Sequence, residues 1–382
     1  LYGSVITGFE KVSGDEVTST LRTDSLTVGR GFIKFELDPR RIPKALCLRS
    51  VDNLFAVLYD ADLDELQNDS NIDALNRIRN EISRINWKTA VECWEIAHNK
   101  QVPGGVDEVK EQMEEYVKTG VSGFNPRSLF TFRVTCHRAG DKKCHSFSSM
   151  EAASALGAEI NKVFGWRPDM KNFDMEVLLN ILVMVALNRE SLFKRNICAF
   201  GPTTMRPTMC YCMTALAQPS QGDIILDPMC GGGSIPLEAA LSFDGCLFIG
   251  ADVHPKAMKR CNENMKSCDQ QLLNSGSELA FICCNSLRLP FSTNSINSIV
   301  TDLPFGRKIG SINKNRVLYP SLLAEWERVV KPGGRLVIMT HDKRNWERAL
   351  ALNGGNWRTT WNRLVNIGGL QALCSCLINT KK

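Results

Sequence analysis

Along the second half of the chain, short apolar runs alternate with longer stretches of mixed polarity. The runs at 224–226, 246–251 (CLFIGA), 279–283 (LAFIC), 296–301 (INSIVT) and 335–340 (RLVIMT) are separated by helical stretches around 234–243, 255–268 and 317–330. Strands alternating with helices read as a doubly wound parallel sheet. The rhythm breaks at the end, where 357–365 and 370–378 are strand-like and separated only by Asn366-Ile367-Gly368-Gly369, a hairpin signal. The expected fold class is α/β: a Rossmann-like, mostly parallel sheet closed by an antiparallel C-terminal hairpin.

Before residue 200 the pattern is less regular. Strand-like pieces at 31–37 (GFIKFEL), 53–59 (NLFAVLY) and 129–135 (LFTFRVT) stand among polar helical stretches, and 60–73 and 99–107 (NKQVPGGVD) read as loops or linkers. Small α+β units fit this style. A helix is expected over 151–164, capped by Ser148 or Ser149. The basic stretch 138–143 (RAGDKK) precedes it, so Arg138, Lys142 and Lys143 are candidates for phosphate contact, with a solvated loop as the plainer alternative.

Composition narrows the class. A chain of 382 residues with 43% hydrophobic and 23% charged residues is ordinary for a globular protein of two or three domains. The most apolar run, 177–187, is too short to cross a bilayer and carries Asn180, so no membrane partner is expected. The chain opens on Leu1 with no basic and apolar leader, which reads as a start inside a longer protein. Fifteen cysteines, an odd number scattered through apparent strands and helices, point to reduced thiols in a cytoplasmic or nuclear setting. No C-x-x-C or H-x-x-x-H spacing occurs, so no metal is expected in this chain. The net charge is +5; residues 201–382 hold 20 Lys and Arg against 13 Asp and Glu, leaving 26 against 28 before them. That C-terminal surplus is compatible with a polyanion such as RNA but does not single one out.

Candidate chemistry concentrates after the strand ends. The first βα turn, DPMCGGGSIPLEAA (227–240), has Gly231 and Gly233 where a backbone can approach a ligand closely. Asp227 stands just before them, where a carboxylate suits a cationic amino group and would repel phosphates. Asp252 ends the next strand, the place for an acid that receives two ribose hydroxyls, and Asn285 follows the third strand, placed for an adenine edge. Together these residues point to S-adenosylmethionine. TDLPFG (301–306) ends the fourth strand. Methylating an exocyclic amine requires acceptors for its hydrogens, and Asp302 with the Leu303 carbonyl can supply them. Pro304 stiffens the turn, and Phe305 offers a face on which a flipped base can stack. Arg307 and Lys308, with Lys314 and Arg316, form a basic stretch able to hold phosphates.

The runs FGPTTMRPT (200–208), DPMCGGGSIPLEAA (227–240), SIVTDLPFGRKIGS (298–311) and VNIGGLQA (365–372) are similar to the methyltransferase domain of the THUMP-domain tRNA guanosine-N2-methyltransferases. Upstream, TGFEKV (7–12), CLRSVDNLF (47–55), FRVTCHRAGDKKC (132–144) and NFDMEVLLNI (172–181) resemble that family's N-terminal segments. The resemblance implies a ferredoxin-like region at 1–98, a THUMP RNA-binding domain at 99–197 and an S-adenosylmethionine-dependent methyltransferase domain at 198–382. It implies N2-methylation of a guanosine near position 6 of the tRNA acceptor stem, with a small zinc-binding activator as a separate partner chain. By match, Asp302, Leu303, Pro304 and Phe305 take the catalytic roles; Asp227, Gly231, Gly233, Asp252 and Asn285 take the cofactor, with Thr208 as a further candidate. Two departures stand out: the family pattern has Asp where this chain has Asn285, and the segment around 181–182 lacks the polar turn of the THUMP hairpin. Two alternatives remain open: amine methylation of another acceptor, such as adenine N6 or a protein glutamine, and an RNA-binding protein whose methyltransferase fold has decayed.

Overall fold

The computed structural model describes residues 1–23, 25–60, 69–120, 129–137, 146–180, 182–304 and 311–382. The first half supplies β1 (Tyr2–Val5), α1 (Glu10–Leu21), β2 (Leu26–Gly29), β3 (Phe32–Phe35), α2 (Ile42–Ala45), β4 (Val51–Asp60), α3 (Asn71–Asn80), α4 (Trp87–His98), α5 (Gly105–Thr119), β5 (Thr131–Cys136), α6 (Ser149–Phe164), β6 (Arg167–Pro168), β7 (Met175–Leu179) and β8 (Leu182–Ala186). These strands form one eight-stranded sheet in the order β2-β3-β1-β4-β8-β7-β5-β6. The central strand β4 pairs antiparallel with β1 on one side and β8 on the other. Strands from both sides of residue 98 therefore share a single sheet.

Local chemistry explains several boundaries. The Ser148 hydroxyl accepts from the Glu151 N–H while the Glu151 carboxylate accepts from the Ser148 N–H, so a complete capping box starts α6. β7 and β8 are separated only by residues 180 and 181, yet they pair antiparallel from Val177↔Val185 to Leu179↔Val183. The Asn180 N–H donates to the Leu182 carbonyl at 2.9 Å. Without the polar turn, β7 and β8 still pair with each other. Part of the stretch read as a linker at 99–107 belongs instead to α5, whose N-cap is Gly104 with φ +79°.

The second half supplies α7 (Pro207–Ala217), β9 (Ile224–Asp227), α8 (Ser234–Ala240), β10 (Leu247–Asp252), α9 (Pro255–Ser267), α10 (Asp269–Asn274), β11 (Glu278–Cys283), β12 (Ile296–Asp302), α11 (Ile312–Val329), β13 (Val330–Thr340), α12 (Lys343–Asn353), β14 (Trp357–Ile367) and β15 (Leu370–Asn379). Their sheet has the order β11-β10-β9-β12-β13-β15-β14. β9 to β13 pair in parallel and β15 pairs antiparallel with both β13 and β14. This is the expected α/β arrangement. Gly368 and Gly369, with φ +57° and +89°, make a two-residue turn, so the strands absorb Asn366 and Ile367. Among the described residues no helix is long and apolar enough to cross a membrane.

The two sheets are joined by burial and by charge. Ile6, Phe9 and Val12, from the start of the chain, belong to the same apolar cluster as Met213, Val337 and Cys376 of the second half. Phe9 is fully buried and stacks on Trp361 of β14 with centroids 5.9 Å apart. Gly8 makes this possible: its φ is +105°, and a Cβ there would collide with the Leu364 backbone carbonyl. The Thr7 carbonyl accepts from the Asn366 N–H at 3.0 Å. Beside this, the buried Glu238 of α8 is held by Arg195 at 2.8 Å, Arg49 at 3.4 Å and Asn196 Nδ2 at 2.7 Å.

Candidate active site

Three aspartates end three neighbouring strands. β10, β9 and β12 lie side by side and stop on Asp252, Asp227 and Asp302. From β9 the chain moves outward to β10 and β11, then returns to β12 on the other side, so β9 and β12 flank the point where strand order reverses. Ligands of open α/β sheets bind in that crevice.

Asp227 is buried, and its Oδ1 accepts from Thr301 Oγ1 at 2.7 Å and the Met229 N–H at 3.1 Å. Burial pushes its carboxyl up to about 7; the two hydrogen bonds oppose that rise and the Asp252 charge adds to it. Asp302 carries the more exceptional atom. Its Oδ1 is shielded from water and has no hydrogen-bond partner among the described residues. Burial, then the nearby Asp227 charge, raises this carboxyl well above the usual range. A desolvated acceptor left unpaired at a strand end carries a free-energy penalty that an incoming donor relieves.

The next two residues divide the work. Leu303 is buried and its N–H extends the β12–β13 ladder to the Met339 carbonyl at 2.9 Å, while no described residue donates to its own carbonyl. The Pro304 carbonyl, in contrast, accepts from Tyr319 Oη at 2.6 Å and Asn315 Nδ2 at 2.9 Å. Phe305, Arg307 and Lys308 lie outside the described residues, as do Arg138, Lys142 and Lys143.

The glycine turn is tied to Asp252. One Asp252 oxygen accepts from the Gly231 N–H at 3.0 Å and the other from the His254 N–H at 2.8 Å. Gly231 has φ +56° with open space where a Cβ would stand; Gly233 has φ +80°, and a Cβ there would meet the Phe281 ring at 2.8 Å. Asn264 on α9 locks the neighbouring loop: its Oδ1 accepts from the N–H groups of Cys198 and Ala199, and its Nδ2 donates to the Ala199 and Gly232 carbonyls. Asn285 is exposed, and its Oδ1 already accepts from the Leu287 N–H at 2.9 Å, closing a turn, while no described residue accepts from its amide hydrogens. Thr208 is directed elsewhere: its hydroxyl donates to Asp52 of β4 at 2.8 Å, joining α7 to the first sheet.

A family profile described as an RMKL-like methyltransferase domain matches residues 195–372. The tRNA (guanine(6)-N(2))-methyltransferase THUMP3 of Bos taurus is 34% identical over an alignment of 446 residues that covers 99% of this chain and 88% of that protein. The chain belongs to the THUMP3 methyltransferase family. The U6 snRNA (guanine-N(2))-methyltransferase THUMPD2 of Homo sapiens is 31% identical but matches 55% of this chain and 40% of its own length. Among solved structures, TrmN from Thermus thermophilus superposes with a TM-score of 0.72 at 19% identity, covering 99% of this chain and 98% of that one, which shows the shared fold.

A THUMP3-family chain is a methyltransferase whose methyl donor is S-adenosylmethionine, and the residues here fit that group. Asp252 keeps lone pairs for ribose hydroxyls, the positive-φ glycine leaves a cradle free of side chains, and the buried Asp227 offers a carboxyl whose charged form a bound cation would favour against the cost of burial. Thr301 and Asn264 went unmarked in the sequence. Thr301 had a signal, a polar residue inside a buried run; Asn264 had none, because it sits among other polar residues of α9.

Proposed function

We propose that this protein methylates the exocyclic N2 of a guanosine in tRNA, near position 6 of the acceptor stem, using Asp302 and the Leu303 carbonyl to orient the amine. The observation that supports this most directly is the buried Asp302 Oδ1 at the strand-order reversal, which has no partner among the described residues. When bound, S-adenosylmethionine supplies an electrophilic methyl group on a sulfonium. The chain's own residues do the rest. Asp252 receives the ribose hydroxyls, the turn at Gly231 and Gly233 lets the backbone close on the cofactor, Asp227 faces its amino group, and Asn285 meets the adenine edge. Asp302 and the Leu303 carbonyl accept the two hydrogens of the guanine amine, which frees its lone pair from the ring. The raised affinity of Asp302 for protons suits it to take one as the N–C bond forms.

tRNA is favoured over U6 snRNA because the likeness to the tRNA-named relative extends through the N-terminal sheet, whereas the likeness to THUMPD2 stops near half the chain. The N-terminal region grips the substrate in this proposal with Arg138, Lys142 and Lys143 on phosphates, while in the second half Arg307 and Lys308 hold phosphates around the flipped base and Phe305 stacks against it. A small zinc-binding activator binds as a separate subunit. The described cysteines are all free thiols, which supports a reducing compartment, the cytoplasm or the nucleus.

The test is incubation with unmodified tRNA and labelled S-adenosylmethionine, with and without the activator, followed by nucleoside analysis. The expected product is N2-methylguanosine at position 6, absent in Asp302→Ala. Methyladenosine in its place would reassign the acceptor. No product despite cofactor and RNA binding would leave a binding protein.

A further inference from the structure

The turn that follows β12 is fastened from behind by groups that play no part in the proposed chemistry. Asn315 and Tyr319 stand four residues apart on α11, so both side chains lie on one helix face, and both are fully buried. Both donate to the same atom, the Pro304 carbonyl oxygen. Their orientation follows from their partners. The Asn315 amide gives its hydrogens to Pro304 and to Asp342 Oδ2 at 3.0 Å, two oxygens that only accept, with a longer contact from the same nitrogen to Tyr319 Oη at 3.3 Å, and its own Oδ1 has no partner among the described residues. Tyr319 spends its proton on Pro304, so the 3.0 Å contact between its oxygen and Thr340 Oγ1 is a bond that Thr340 donates. Asp342 is fixed in turn, its Oδ2 accepting from Asn345 Nδ2 at 2.8 Å and its N–H donating to Thr340 Oγ1 at 2.9 Å.

Proline explains why this fastening matters. The ring already sets φ at Pro304, leaving ψ as the one soft torsion of that residue. Two donors on its carbonyl set ψ as well. With the Leu303 N–H bonded to Met339 on the other side, the segment carrying Asp302 and the Leu303 carbonyl is restrained at both ends. We infer that Tyr319 and Asn315 are positioning residues for methyl transfer, holding the Pro304 carbonyl so that Asp302 and the Leu303 carbonyl face the acceptor amine together. The inference rests on the methyl-transfer function proposed above.

Tyr319→Phe removes one donor and keeps the ring packed edge-on to Trp346. Asn315→Ala removes the other, and the double variant removes both. Each single variant should lower kcat about two- to tenfold, the scale of one hydrogen bond, with KM for S-adenosylmethionine unchanged. The double variant should lose more than the product of the singles, because either donor alone still holds the carbonyl. Hydrogen exchange at the Leu303 amide, measured without RNA, should be at least about tenfold faster in the double variant. Unchanged kcat and unchanged exchange in the double variant would overturn the inference. So would a loss of cofactor affinity in step with kcat, which would mark a general structural defect. Absence of turnover by the wild-type protein would instead count against the proposed function, and the exchange measurement would still decide whether the two side chains hold the turn.

Discussion

The two sheets of this protein are assembled by opposite rules. In the second, β9, β10 and β11 follow one another outward in chain order, and each strand ends beside the residues that follow it in sequence. In the first, the central pairing joins β4 to β8, so Phe55 lies against Ala186 from the far end of the region. A sheet of parallel strands sets its strand-end motifs along one edge, and the return of β12 to the side of β9 brings the strand end at Asp302 next to those at Asp227 and Asp252. A sheet closed by a distant pairing carries no such local record. Its contribution lies in what it docks, through Phe9, Arg49 and Asp52, onto the catalytic sheet.

The sharpest way to separate the roles is to remove Asp302. Asp302→Ala should lower kcat by about 10²–10⁴, the usual worth of a positioned acid–base group, while calorimetry finds S-adenosylmethionine bound as in the wild type. Lost cofactor binding would show that the edge of the second sheet does not divide its work as described.

Next comes the junction between the sheets. Phe9→Ala should cost about 3–5 kcal/mol in denaturant unfolding, as for a large aromatic removed from a packed core. A cost near zero would mean that the N-terminal sheet only rests against its neighbour.

A pH experiment probes the aspartate cluster itself. Asp227 holds its proton up to about 7 in the folded protein, against about 3.9 in an unfolded chain. Between those values the folded state binds the extra proton, so stability falls as pH rises from about 4 to about 7 and levels off above. Asp302 acts in the same direction. Asp227→Asn should therefore flatten part of the slope, melting several degrees above wild type at pH 8 and close to it at pH 4. Equal slopes in both proteins would show that Asp227 is not the desolvated group.

The smallest effect belongs to Thr208. Thr208→Val should cost about 1 kcal/mol through loss of its bond to Asp52, with cofactor affinity unchanged. Weakened cofactor binding would return Thr208 to the cofactor site.

Much of the catalytic half was legible because its evidence is local. Apolar runs of strand length, a Gly-Gly turn and an acid at each strand end are properties of consecutive residues, and the sheet edge keeps them together. The N-terminal half was less legible. The helices α1 and α4 and the strand β1 bury their apolar faces against residues far along the chain, so their partners leave no periodic trace nearby. Thr208 shows the limit within the catalytic half: the run containing it resembles a methyltransferase motif, but its hydroxyl is used by a strand of the other sheet.

The sequence by itself determined the α/β class, the hairpin that closes the sheet and the identity of the carboxylates at the strand ends. Each of these follows from short-range pattern and side-chain chemistry. Only the tertiary structure decided which of those groups stay unsatisfied, since hydrogen-bond accounting depends on neighbours that fold in from elsewhere. Among the described residues Asp302 Oδ1 has no partner, while the Pro304 carbonyl two residues later takes two donors from α11. Burial makes that difference consequential, because water cannot substitute for the missing partner.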